Sequence, residues 1–241
     1  MSEQSYLSQP AYRFYIDKEE AFGEADDFVK YKFETKDSPS RQYQTLLLLQ
    51  DLLGFRLDDR KNDAALLDVD LKRLAFVYDK SVLDVKKEVY LKALDRLEEK
   101  HSKSPLVTEV LFLMANYYFQ DGYIDEGKTD PKSGYWKIAH QICVDAMKRF
   151  PSSVGASQCN SLKRTLEEKV LRFNTETVNI PGQPFLAKVD FRNLTHVYGR
   201  VIRMNEKRKD QFEKSQEKGS ENALKYLKEL PVVKTFHQEL P

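Results

Sequence analysis

LFLMANYYFQDGYIDEGKTDPKSGYWKIAHQICVDAMKRFP, residues 111 to 151, is the stretch on which the fold turns. Its opening part spaces Leu111, Met114, Ala115 and Tyr118 three or four residues apart, so that they share one helix face. Its closing part spaces Ala139, Cys143 and Ala146 in the same way and stops at Pro151, whose ring cannot continue a helix. Small residues at such positions let two helices cross closely, where a large side chain would force the backbones apart. Between them, Asp121 to Gly134 is rich in Gly, Asp and Pro and reads as a loop.

The same period extends outward. Asp37-Ser38-Pro39-Ser40 supplies capping side chains and a first-turn proline for a helix over Ser38 to Leu57. Leu46, Leu49, Leu53 and Phe55 follow at helical intervals. Leu47, Leu48 and Leu52 widen this stripe, which predicts burial on more than one side. Ala64 to Tyr78 sets Leu67, Leu71, Leu74, Ala75 and Tyr78 on one face. Asp84 to Lys100 does so with Val85, Val89, Leu91, Leu94 and Leu97, leaving Lys86, Lys87, Asp95, Arg96, Glu98 and Glu99 solvated. Ser104-Pro105-Leu106 opens a fourth helix running to Gln120. Tyr135 to Phe150 is a fifth, and Val154 to Phe173 a sixth, with Cys159, Leu162, Leu166, Val170 and Leu171 in its apolar set. Ahead of them all, Ala11 to Lys36 is crowded with aromatics. A short helix over Ala11 to Ile16 is predicted there, then extended chain whose rings dock onto the helices.

After Asn174 the period changes. Thr177 to Asp190 is punctuated by Gly and Pro, and Val197 to Met204 alternates β-favouring with polar residues. Asn205 to Leu230 returns to charged, helix-forming sequence before another strand-like run, PVVKTFHQEL, Pro231 to Leu240. The predicted fold is mainly α: antiparallel helical hairpins over 1–174, then a small, partial antiparallel β-sandwich over 175–241. Its strands are placed at 177–204 and 231–240, with a helical insertion at 206–229.

The Leu111 to Pro151 pattern is tetratricopeptide-like, with a loop about a dozen residues longer than that motif allows. A partial second match runs through Ala93, Leu97 and Pro105, where Lys100 breaks the small-residue rule. SPLVTEVLFLMANYY (104–118), AHQICVDAMKRFPSSVGASQCNSLKRTLEEKVL (139–171) and VNIPGQPFLAKVDFRNLTHVYGRVIRM (178–204) together resemble the N-terminal region of Bacteroidetes members of the alpha-2-macroglobulin family. The resemblance implies a helical repeat region leading into a first macroglobulin-type β-domain. Pro181-Gly182-Gln183-Pro184 would then precede a strand that Phe191-Arg192-Asn193 ends. It also implies a segment of a longer cell-envelope or periplasmic protein, with proteases as partners of the parent. That family's thioester motif, Cys-Gly-Glu-Gln, does not occur here: Cys143 lies in QICVDA and Cys159 in SQCNSL.

Lys plus Arg is 39 and Asp plus Glu is 38, a balance that argues against broad binding to nucleic acid or anionic membrane. No apolar run approaches the length of a membrane span, and the first residues do not resemble a signal peptide. The two cysteines form neither a disulfide framework nor a zinc site by spacing. They read as buried small hydrophobes on neighbouring helices, with a single bridge as the alternative. His101, His140, His196 and His237 stand at no metal-ligand spacing, so no metal or cofactor is expected. Asp121, Asp125, Glu126 and Asp130 crowd one loop but lack the alternating order of a calcium site. Asp58, Asp59, Asp63, Asp68 and Asp70 read as helix caps and solvated surface. The basic runs Arg60-Lys61, Lys72-Arg73 and Arg203 to Lys209 suggest no nucleic-acid contact. Trp136 reads as a core anchor, with peptide contact as its functional alternative. With Tyr135 and Tyr118 it makes up the candidate protein-contact set.

No nucleophile elbow, phosphate loop or acid–base set can be assembled, so the expectation is a non-enzymatic protein. Two readings compete: a scaffold that positions β-domains and offers a protein-contact surface, and an adaptor that holds an extended peptide in a helical groove.

Overall fold

The computed structural model describes residues 12–59, 62–122, 134–176, 180, 183 and 186–240. The chain divides into two compact units, Met1–Leu166 and Glu167–Pro241.

The first unit is helical. A 3-10 turn (Glu19–Phe22) and α1 (Ala25–Lys30) precede α2 (Arg41–Asp58), α3 (Asp63–Lys80), α4 (Lys86–His101), α5 (Val107–Asp121), α6 (Tyr135–Arg149) and α7 (Val154–Glu167). Side-chain caps start several of these helices by accepting otherwise unpaired amide N–H groups. Asn62 Oδ1 accepts from the Ala65 amide (3.1 Å), and Ser153 Oγ from Ala156 (3.2 Å). The Ser40 cap on Tyr43 is longer, at 3.5 Å.

Two apolar cores result. Phe14, Phe28, Leu46, Leu53, Leu74 and Leu94 belong to the first; Leu111, Ala139, Cys143, Cys159 and Leu162 belong to the second. α5 is the wall between them, giving Val110 and Tyr117 to the first core and Val107, Leu111, Ala115 and Phe119 to the second. A helix that buries opposite faces must be apolar nearly all round, as VLFLMANYYF is. α7 meets α5 backbone to backbone: a Cβ on Gly155 would lie 2.2 Å from the Thr108 carbonyl carbon. Thr108 Oγ1 and Ser153 Oγ, 2.8 Å apart, join the same crossing.

Four sequence expectations change in this unit, one of them the extended chain expected after Ile16, which holds the 3-10 turn and α1. Residues 12 to 16 form no helix; Ile16 instead makes an isolated parallel bridge to Ser81. The aromatics do dock, with Phe14, Phe22, Phe28 and Phe33 buried, whereas Tyr12 and Tyr15 stay exposed. The wide stripe of α2 is buried on one side only: Leu48 (65% exposed), Leu52 and Phe55 face outward, and the polar Gln50 goes in. The sixth helix ends at Glu167 rather than Phe173. Val170 and Leu171 have apolar partners at helical spacing in sequence, but the backbone there pairs across to residues 187–192, a contact no local period reveals.

In the second unit, β1 (Val170–Thr175) pairs antiparallel with β2 (Ala187–Arg192), and β3 (His196–Ile202) with β4 (Val232–Glu239). These are two separate two-stranded sheets. The boundary thus lies ahead of the one placed near Asn174, while β2, β3 and β4 fall where the residue patterns put strands. Of Pro181-Gly182-Gln183-Pro184, all but Gln183 lie outside the described residues, as do Thr177 to Asn179. The helical insertion is two helices, α8 (Glu206–Glu217) and α9 (Ser220–Glu229), broken at Gly219, whose φ of 113° suits glycine. Gly199 faces Phe236 across the β3–β4 ladder, and the Phe236 ring occupies the space a Cβ would take. Ala223 is the one buried residue among those described in this unit. The mainly α class with a small antiparallel β region holds.

Candidate functional site

The N-terminal segment has only the 3-10 turn and the short α1, so backbone polar groups at their ends and in the extended stretches need partners from elsewhere. Side chains of α2, α3 and α4, with Asp37 and Ser81 between helices, supply them. Arg73 of α3 is 1% exposed. Its Nε donates to Asp70 Oδ1 (2.8 Å), and its terminal nitrogens donate to the Ala21 carbonyl (2.7 Å) and the Gly23 carbonyl (2.8 Å). The guanidinium also stands 4.6 Å over the Phe28 ring. Burial draws its pKa down from the ordinary arginine value, and Asp70 beside it opposes the shift. Arg96 donates to the Phe22 carbonyl (2.8 Å), and Gln50 Nε2 to the Phe28 (2.6 Å) and Tyr31 (2.7 Å) carbonyls. Ser81 Oγ holds the Ile16 carbonyl at 2.9 Å, and Asp37 accepts from the Phe14 amide at 3.0 Å. The sequence reading took Asp70 for helix cap or solvated surface and Arg73 for part of a short basic run. Both are interior, because each neutralises the other where residues 16–31, a strap over the helices, meet α3.

Beside this hub lies an open cleft of about 880 Å³, between residues 23–26, α3, α4 and the turn before α5. Leu66, Leu67, Leu97 and Leu106 give it an apolar lining. Its charges are of both signs, with Arg96, Lys100 and Lys103 against Glu24, Asp63 and Glu99. His101 also lines it, its pKa lowered by burial first and by Lys100 second. Such a lining can hold an apolar side chain under a polar backbone, and it carries no donor set aimed at a single reacting atom.

A run of tyrosines links the two cores. Tyr90 stacks on Tyr78 (centroids 4.5 Å apart), Tyr78 meets Tyr117 edge-on at 5.8 Å, Tyr117 meets Tyr118 at 5.2 Å, and Tyr118 meets Tyr135 at 5.4 Å. Burial pushes Tyr90 up to about 12, aided by Tyr78, and raises Tyr78, Tyr117 and Tyr118 as well. These phenols stay protonated at neutral pH and are unfit as bases. Lys86 sits 5.4 Å over the Tyr78 ring, and Lys87 pairs with Asp121. That hydrogen bond raises the Lys87 pKa. Asp121 is therefore a buried partner at the end of α5 and not a solvated loop residue; Asp125, Glu126 and Asp130 lie outside the described residues, as do Tyr123 to Gly127, Arg60 and Lys61.

Of the candidate contact residues, Tyr118 and Tyr135 are brought edge to face. Trp136 turns to the second core, where its Nε1 donates to the Phe119 carbonyl at 3.1 Å and its ring fills the space beside Gly122. All three are half-buried. Tyr78, Tyr90 and Tyr117 were missed as partners because contacts between helices leave no local signal. Cys143 and Cys159 are both buried. His196 and His237 stack at 5.2 Å on one face of the β3–β4 ladder. Among the described residues, no group of three or more His, Cys, Asp or Glu is placed to hold a metal ion, and no helix is long and apolar enough to cross a membrane. No protein family, curated protein or solved structure matches the chain.

Proposed function

We propose that the chain is a non-catalytic scaffold segment of a large alpha-2-macroglobulin-like cell-envelope protein, positioning β-domains and offering surface to protein partners. The observation that carries the scaffold reading is the strap. Buried charge and amide groups of the first unit are committed to backbone carbonyls of residues 16–31, an investment in fixed shape. The family part of the reading rests on the resemblance of residues 104–204, supported by strands at Ala187–Arg192, His196–Ile202 and Val232–Glu239. Cell-envelope location and proteases as partners of the parent follow from that resemblance.

A second reading, a peptide-holding adaptor, is favoured by the cleft between α3 and α4. Titration with a library of extended peptides separates the two. The scaffold reading expects no saturable binding below the millimolar range. The adaptor reading expects micromolar binding that slows hydrogen exchange around Leu66 and Leu106 and is abolished by Leu97→Glu. The latter result would overturn the scaffold proposal.

A further inference from the structure

We propose that the outer face of α2 is a self-association surface, on which the same helix of a second copy lies antiparallel. The core-facing side of α2 carries Leu46, Gln50 and Leu53, all buried. With about 3.6 residues per turn, Arg41, Thr45, Leu48, Leu52, Phe55 and Asp59 fall on the opposite side, within about 40° either side of one line. The side of a surface helix that points away from its core is ordinarily charged or polar. Here its middle is apolar: Leu48 is 65%, Leu52 39% and Phe55 61% exposed. The helices packed on α2, which are α1 and α3, leave these three side chains uncovered.

The order of residues along this face selects the occupant. Arg41 stands in the first turn of α2 and Asp59 at its C-cap, so the two ends carry opposite charge. Among the described residues Arg41 has no carboxylate partner, and the ion pair of Asp59 is a loose one to Arg56, at 3.9 Å. Position 50 is the midpoint. Arg41 and Asp59 lie nine residues either side of it, Thr45 and Phe55 five, and Leu48 and Leu52 two. A two-fold axis at that height sets Leu48 of each copy against Leu52 of the other, Phe55 against the Thr45 methyl, and Arg41 against Asp59. Apolar groups meet at the centre, and each terminal charge meets its opposite. The antiparallel arrangement also opposes the two helix dipoles. Such a contact uses the same patch on both copies and closes at two. A helix of 18 residues is about 27 Å long, so the pair buries less than the roughly 800 Å² per partner of a standard interface. The dimer therefore belongs to the weak class and is half-formed at about 10–100 µM.

The test is sedimentation equilibrium of the full chain at low salt, over a concentration series that spans this range. The expected result is a monomer–dimer equilibrium with no larger species. Leu52→Glu changes an exposed residue, so the thermal midpoint of dilute protein should stay put while the dissociation constant rises about tenfold or more. Arg41→Glu and Asp59→Arg should each weaken the dimer about fivefold, since each sets like charges together at both ends. Mixed in equal amounts, these two variants should regain an affinity close to wild type, because the mixed dimer has opposite charges at each end. A chain that stays monomeric at the highest concentration overturns the inference. So does association that survives Leu52→Glu, as it would if the open edges of the β-ribbons were responsible, and so does a mixture of charge variants no tighter than either alone. Should Asp59→Arg not fold, Leu52→Glu and Leu48→Glu decide by themselves.

Discussion

Replacing Arg73 by Met keeps most of the side-chain volume and removes the charge. It leaves the Asp70 carboxylate, 5% exposed, without its counter-ion, and strips the Ala21 and Gly23 carbonyls of their donors. Removing one partner of a buried pair costs about 3–5 kcal/mol. The Ala21 carbonyl is buried and the Gly23 carbonyl part-buried, and both can recruit water only as the strap loosens, so their loss adds to the lower part of that range. A total of about 4 kcal/mol corresponds to a fall of roughly 8–16 °C in thermal midpoint for a unit of this size. Asp70→Asn in the Arg73→Met background removes the stranded charge and should recover about half the loss, leaving the deficit from the carbonyls. Urea unfolding followed by circular dichroism gives the global number, and hydrogen exchange at residues 19–31 gives the local one. The strap should exchange fast in Arg73→Met while α5 and α6 stay protected. A loss under about 1 kcal/mol with a protected strap would refute the assignment of Arg73 as the hub.

Gly155→Ala would drive a methyl into the Thr108 carbonyl, which belongs to backbone and cannot rotate away. A loss of about 1–3 kcal/mol or more is expected in denaturant melts. Gln50→Leu leaves the Tyr31 carbonyl without its donor and the Phe28 carbonyl with the Tyr31 amide alone. It should cost about 1–3 kcal/mol and raise exchange at Tyr31 to Phe33. His101 has a folded pKa below its ordinary 6.5, so the fold favours the neutral ring. Its contribution is complete above about pH 6.5 and is lost as pH falls toward the folded pKa; His101→Asn should flatten the pH dependence of the urea midpoint between about pH 7 and 5. Asp95 and Glu109, whose pKa values burial raises, act with opposite sign and at lower pH, in the carboxylate range. Lys87 has a raised folded pKa, so its pairing with Asp121 stabilises below the unfolded lysine pKa and is lost as pH rises through the folded one; Lys87→Met should remove that alkaline loss.

What could be read from sequence divides by range of interaction. Helices α2 to α6 were legible because apolar spacing, the capping run Asp37-Ser38-Pro39-Ser40, and Pro151 are local facts. β3 and β4 were legible because alternation and β-branched residues are local too. β1 was not: Val170, Leu171 and Phe173 extend a helical stripe as plausibly as they make a strand, and only residues 187–192 decide the matter. Arg73 was missed for a similar reason. It bonds to Ala21, fifty-two positions away, and beside Lys72 it looks like any solvated charge. Tyr118 and Tyr135, named as contact candidates from sequence, meet edge to face. The tyrosines joining them to α3 and α4 required the packing to be known.

The strap explains why polar residues stand inside an apolar design. Apolar burial holds Phe14, Phe22, Phe28 and Phe33 against the helices but has no direction, so it would tolerate a slip along the surface. Hydrogen bonds do have direction. Each is placed where an extended or terminating backbone shows a carbonyl or amide: Ile16, Ala21, Phe22, Gly23, Tyr31 and the Phe14 amide, with Phe28 at the end of α1, whose carbonyl also accepts from the Tyr31 amide. Gln50, Arg73, Ser81 and Arg96 therefore set the register of the strap, and the phenylalanines supply most of its adhesion. The second unit shows the complement. Its strands satisfy one edge each by pairing, yet hardly any side chain among its described residues is buried, so direction is present and adhesion is scarce. Two-stranded ribbons in that condition sit at the low end of local stability. The first unit, with both ingredients, is where rigidity resides.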